Sequence, residues 1–152
     1  MHRITDRLFV GNINDATQLP PQVSAVLLVA EELSNELPDW LAHGWIPIKE
    51  YSEADPKVLA DAVSWVERHL TDNRVMVCCR AGMGRSVSVV MAYLCCVEGM
   101  AYADVLELVT ARRPGAMPLP KLEEAIDEVR RFRRSSSTSQ GNPPGETASG
   151  GR

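Results

Sequence analysis

The chain has 152 residues, 45% of them apolar, with a formal charge of −4 and four cysteines. That length and apolar share suit one compact domain with a substantial core and leave little room for a second. The acidic balance argues against a general nucleic-acid binder, and the lack of any apolar run of about 18 residues argues against a membrane span.

The opening MHRITDRLFVGNIND has no basic-then-apolar layout of a signal peptide. The cysteines fall as two adjacent pairs, Cys78/Cys79 and Cys95/Cys96, unlike a disulfide framework or a CxxC metal site. They read as reduced thiols, and a cytoplasmic protein is expected.

In chain order, Arg7 to Asn12 reads as a short strand ending at Gly11, and Ser24 to Ala30 as an apolar strand. Trp45 to Ile48 is a shorter extended piece containing Pro47. The pattern from Pro56 to Leu70 predicts a helix with Val58, Leu59, Ala62, Val63, Val66 and Leu70 on one face. Arg74 to Cys78 closes the set of strands, whose unalternating runs suit coverage on both faces. SVSVVMAYLCCVE is apolar nearly all round and predicts a central buried helix ending at Gly99. Two amphipathic helices follow, YADVLELVTARR and LEEAIDEVRRFRR, separated by the Pro-rich turn Pro114 to Pro120.

Strands alternating with helices, then helices alone, predict a single α/β domain over residues 1–134. Residues 135–152 are rich in Ser, Gly and Pro and are expected to be a disordered tail. The arginines from Arg130 to Arg134 read as the solvated end of the last helix, with a basic interaction patch as the alternative.

The stretch CCRAGMGRS, Cys78 to Ser86, lies between the last strand and the central helix. A Gly-rich turn in that position aims backbone N–H groups and the positive end of the helix dipole at one anion. Gly82 and Gly84 would supply positive φ, so that Arg80, Ala81, Gly82, Met83, Gly84 and Arg85 wrap a tetrahedral oxyanion. Arg85 would bind two phosphoryl oxygens with its planar fork, which Lys cannot copy. Cys79, beneath the loop, would be a thiolate ready for attack on phosphorus. Ser86 would stabilise that sulfur as a leaving group, or serve as the helix N-cap.

CRAGMGRS resembles the Cys-x5-Arg-Ser/Thr signature of the cysteine-dependent protein tyrosine phosphatases, and Ile4 to Phe132 resembles the small dual-specificity phosphatases. ITDRLFVGNINDA looks like that family's opening, IPIKE like its acid-loop lead-in, and ARRPGAMPLP like its later arginine and proline segment. The resemblance implies a central, mostly parallel sheet of four to five strands flanked by helices, a phosphocysteine intermediate, no metal or other cofactor, and a shallow pocket. The implied substrates are phosphotyrosine and phosphoserine or phosphothreonine in proteins.

The sequence departs from the family in two places. Cys78 stands where members carry His, which places it where it would capture an oxidised Cys79. Alignment of IPIKE puts Glu50 in the place of the family's general-acid Asp. Asp55 is the rival acid, although its position before Pro56 also makes it a helix N-cap, and Glu53 is a third candidate.

Arg112 and Arg113 read chiefly as capping their helix, with bracing of the loop as the alternative. His2, His43 and His69 are scattered, and Trp40, Trp45 and Trp65 read as packing residues. Two other readings stand beside the phosphatase: a phosphopeptide-binding module without turnover, and a sulfurtransferase, whose loop is similar but one residue shorter before its Arg. Nothing in the sequence bears on oligomeric state.

Overall fold

The structure is a computed structural model that describes residues 1–32 and 37–140, with side chains to residue 135. Three strands carry no charged residue and are buried throughout: β2 (Leu8–Gly11), β3 (Ala25–Ala30) and β5 (Val75–Cys78). Such runs can only sit inside a sheet covered on both faces. They form the centre of a five-stranded sheet ordered β1-β2-β5-β3-β4, with β1 at His2–Arg3 and β4 at Ala42–Ile48. All neighbours are parallel except β1 with β2. The expected α/β domain with a mostly parallel sheet is therefore what the chain forms.

β4 begins three positions before the expected Trp45, alternates in burial, and lies at the edge of the sheet. An edge strand tolerates Pro47, which has no N–H to give to a neighbour. β1 and α1 (Ile13–Thr17) were not anticipated, because elements this short carry no periodicity. α1 is marked instead by a capping box: the Asn12 side chain accepts from Asp15 N–H at 3.0 Å, and Asp15 accepts from Asn12 N–H at 2.9 Å.

The sheet divides the core. On one face pack α2 (Pro56–Leu70), α3 (Arg85–Cys96), α4 (Tyr102–Arg112) and α5 (Leu122–Gln140). The opposite face holds a thinner cluster of Phe9, Val26, Leu28, Met76 and Cys78. α3 is the buried centre, with Val87, Val89 and Val90 wholly inaccessible. Three valines cost a helix roughly 0.5 kcal/mol each in propensity, whereas burying each contributes roughly 1.5–3 kcal/mol, so packing decides.

α5 runs to Gln140, past the expected domain boundary at Arg134, and residues 141–152 of the tail lie outside those described. Arginines of the 130–134 group are paired: Arg130 with Asp127 at 3.0 Å, Arg133 with Glu67 at 2.8 Å, and Arg131 with Glu128. No described helix is long and apolar enough to cross a membrane.

Candidate active site

β5 ends at Cys78 and α3 begins at Arg85, so residues 79–84 turn the chain at the C-terminal edge of the sheet. Gly82 does this with φ +69°, but Gly84 sits at φ −116°, which corrects the expectation of two left-handed glycines. A Cβ on Gly82 would also lie 2.9 Å from the Gly11 carbonyl carbon and oxygen. The torsion and the close approach of the end of β2 both demand glycine.

Bonds from outside hold the loop's shape. Cys79 N–H donates to Gly11 O at 3.3 Å, Ile13 N–H to Arg80 O at 3.2 Å, and Met117 N–H to Met83 O at 2.7 Å. Arg113 Nε donates to Gly82 O at 2.8 Å and its Nη2 to Ala81 O at 3.3 Å. Arg113 is the C-cap of α4, its N–H donating to Val109 O at 2.8 Å, and its side chain also braces the loop, so the capping expectation and the bracing alternative both hold; Arg112 Nη1 donates to Ile4 O at 3.3 Å. Ser88, buried one turn into α3, ties the helix to the Pro-rich segment: its hydroxyl donates to Gly84 O at 2.7 Å and accepts from Leu119 N–H at 2.9 Å.

Cys79 Sγ lies 3.2 Å from Ser86 Oγ. Burial alone would push this thiol up. The Ser86 hydroxyl, the N–H groups of Ser86 and Gly82, and the Arg85 charge outweigh burial and hold it below its ordinary value. Ser86 is not the N-cap: that position is Gly84, and the serine sits inside the first turn.

Cys78 is different. Its side chain packs in the thin cluster across the sheet from Cys79, as alternation along a strand requires, and burial pushes its thiol strongly up. The alternative in which Cys78 captures an oxidised Cys79, already opposed by the strain of a disulfide between adjacent residues, does not fit this arrangement.

Arg85 is 1% exposed and its fork is taken end-on by Glu32: Nη1 to Oε1 at 2.6 Å and Nη2 to Oε2 at 2.7 Å. Nη1 also donates to Ile48 O at 3.3 Å, and Glu50 Oε2 lies 3.5 Å from Nη2. Among the described residues nothing accepts from Nε, which leaves that edge of the guanidinium for an incoming oxyanion.

Glu32 was missed in the sequence. The available signal was its position just beyond β3, whose Leu28 is level with Cys78 of β5, on the strand edge where parallel sheets place their sites. The hydrogen bonds from Arg85 hold the Glu32 carboxyl down at about 2. Its contribution to stability is thus present above the ordinary carboxylate value near 4.5 and is lost as pH falls from there through about 2. Glu32→Gln is expected to flatten the acid limb of an unfolding curve over that window, measured by circular dichroism; an unchanged acid limb would dissociate Glu32 from Arg85.

Glu50, Cys79 and Arg85 line one cavity of about 550 Å³, together with Ala81, Met83 and Gly84 of the loop, while the Arg80 side chain is exposed. Asp55 is elsewhere: it caps α2, accepting from Lys57 N–H at 2.9 Å, and it lines a separate depression with Glu53. Glu53 pairs with Lys121 at 3.5 Å, both side chains being exposed. Among the described residues no cluster of His, Cys, Asp and Glu could hold a metal ion. Trp65 stacks on His69 with ring centroids 3.7 Å apart, and Trp45 donates to Ala30 O at 3.0 Å, both as packing residues.

Residues 8–132 match the family model of the dual specificity phosphatase catalytic domain. The chain is 32% identical over 141 residues to dual specificity protein phosphatase 1B of Arabidopsis thaliana, covering 89% of this chain and 83% of that protein. It is 28% identical over 127 residues to human dual specificity protein phosphatase 15, covering 80% of this chain but only 43% of that protein. The crystal structure of DUSP15 superposes with a TM-score of 0.76 at 24% identity, covering 90% of this chain and 94% of that one, which is a likeness of fold.

The chain belongs to the dual specificity phosphatase family. It is a protein phosphatase, a hydrolase acting on phosphorylated substrates.

Proposed function

We propose that this phosphatase works through a phosphocysteine intermediate on phosphotyrosine and phosphoserine or phosphothreonine in proteins. The observation that supports it best is the Cys79 sulfur, lowered in pKa, at the base of the cavity that also holds Arg85 and Glu50. The loop N–H groups and the free edge of Arg85 bind the phosphoryl oxygens, where negative charge develops in the transition state. The Cys79 thiolate attacks phosphorus in line as the ester P–O bond breaks. The leaving oxygen takes a proton from the Glu50 carboxyl. Water then attacks the phosphocysteine and gives its proton to the Glu50 carboxylate. The S–P bond breaks, and the sulfur departs as a thiolate stabilised by the Ser86 hydroxyl. Four free cysteines suit a reducing cytoplasm as the place of action.

The acid assignment is tested by the leaving group. Glu50→Gln is expected to lower kcat on a phosphotyrosine peptide about 100-fold or more, and on p-nitrophenyl phosphate, whose leaving group needs little protonation, only about 10-fold. Asp55→Ala is expected to cost about 1 kcal/mol of stability through the lost cap and to leave kcat within about 2-fold. A larger, leaving-group-dependent loss in Asp55→Ala would reverse the assignment.

A further inference from the structure

Arg113 directs its whole guanidinium at backbone oxygens. Nε donates to Gly82 O at 2.8 Å, Nη2 to Ala81 O at 3.3 Å, and Nη1 to Pro114 O. Among the described residues no carboxylate pairs with it, so its charge is left to act on the loop. The chain fixes its backbone on both sides. The Arg113 N–H closes α4 on Val109 O at 2.8 Å, and its O accepts from Ala116 N–H at 3.0 Å across a β-turn with Pro114 second and Gly115 third, at φ +86°. Proline pre-sets the first bend of such a turn and glycine takes the second without strain. ARRPGA therefore presents one cation to the loop between β5 and α3.

What that cation touches decides its effect. A trans peptide unit is rigid and points its C=O and N–H in opposite directions. The Ala81 O held by Nη2 and the Gly82 N–H belong to one such unit, and that N–H is among the groups that favour a thiolate at Cys79. The Gly82 O held by Nε belongs to the next unit, so the Met83 N–H also points away from the guanidinium. A cation bonded to one end of a peptide unit polarises it and strengthens the bond made at the other end. Two bonds thus link Arg113 to the sulfur. Cys78 offers no comparable support, because its side chain packs on the other face of the sheet.

The remaining charged groups are placed differently. The sulfur faces Arg85 of α3 and shares its cavity with Glu50 beyond β4, while Glu32 beyond β3 is bound to Arg85 and the Arg80 side chain is exposed. Arg113 faces His2 of β1, with Arg112 turned to Ile4 O and Asp15 of α1 paired with the N-terminal amine. Burial and then the Arg113 charge hold His2 below its ordinary value, so His2 adds little charge near neutral pH.

We propose that Arg113 is a positioning residue for the attacking sulfur: through the peptide unit between Ala81 and Gly82 it holds that N–H on Cys79 and lends the thiolate its positive charge. The proposal rests on Cys79 as the nucleophile and adds a second arginine to its support. Arg85 lines the cavity and serves the phosphoryl group, whereas Arg113 lies outside the lining and serves the sulfur.

The test is the rate of alkylation of Cys79 by iodoacetamide as a function of pH, with Cys79→Ser supplying the background from the other three cysteines. Removing a positive charge disfavours the thiolate, so Arg113→Gln, which keeps a neutral donor, is expected to move the midpoint up by about one pH unit. Arg113→Met, neutral and of similar length, should do the same and keeps the test standing if the glutamine variant does not fold. Arg113→Lys, which keeps the charge with fewer bonds, should move the midpoint by less than half as much. A brace that served only the loop's shape would lower the melting temperature of these variants and leave the midpoint in place. An unchanged midpoint in the neutral variants, or a larger shift in Arg113→Lys than in either of them, overturns the relay. Phosphate release by the wild type is measured in parallel. A midpoint that moves as expected in a chain that releases no phosphate keeps the relay and overturns the catalytic reading.

Discussion

Cys79→Ser is expected to abolish turnover, with a fall on the order of 10⁴-fold or more on any phosphomonoester, the scale on which loss of an attacking group is felt. The serine hydroxyl is nearly the same size as the thiol, so the packing around a side chain that is 2% exposed is preserved. What changes is the nucleophile. The Ser86 hydroxyl, the N–H groups of Gly82 and Ser86, and Arg85 stabilise a thiolate against the penalty of burial. The same groups cannot ionise an alcohol near neutral pH. The variant should therefore still bind phosphopeptide and unfold at nearly the wild-type temperature while releasing no phosphate. Activity above about 1% of wild type, measured with EDTA present, would require another nucleophile and would overturn the phosphocysteine route.

Arg85→Lys is expected to lower kcat/KM roughly 10³-fold, with both kcat and KM affected. An ammonium is a point charge and cannot reproduce a fork that holds Glu32 end-on while no described residue claims its Nε. The substitution also leaves the Glu32 carboxylate beside the phosphoryl site without its bidentate partner, so a repulsive charge is added where an attractive one is weakened. A variant that keeps a cooperative melting transition but loses phosphopeptide affinity in the Cys79→Ser background would match this account. A loss below about 10-fold would show that the backbone N–H groups hold the phosphoryl group almost unaided.

The strand, turn and helix around Cys79 were legible because an unbroken apolar run, two glycines and a second apolar run leave few other foldings. The roles of single loop residues were less so. Gly84 carries the same letter as Gly82, yet only Gly82 meets the backbone of β2, a contact set by the pairing of Gly11 with Cys78. Ser86 had a local capping explanation that a tertiary contact replaced, whereas Arg113 keeps its helix cap through the backbone while its side chain reaches the loop. Glu32 lay beyond local reasoning altogether, because only the parallel pairing of β3 with β5 brings it to Arg85. The opposite orientation of Cys78 and Cys79 was available from strand alternation, since neighbours on a strand face different layers.

The bonds that hold the loop from outside bear on protein engineering. The end of β2, the entry to α1, Arg113 and the segment around Met117 each grip it at a separate point. CCRAGMGRS is therefore not a portable cassette. Spliced alone between a strand and a helix of some other scaffold, it would lack the mould that shapes it, and a working transplant would have to carry all of those supports as a set.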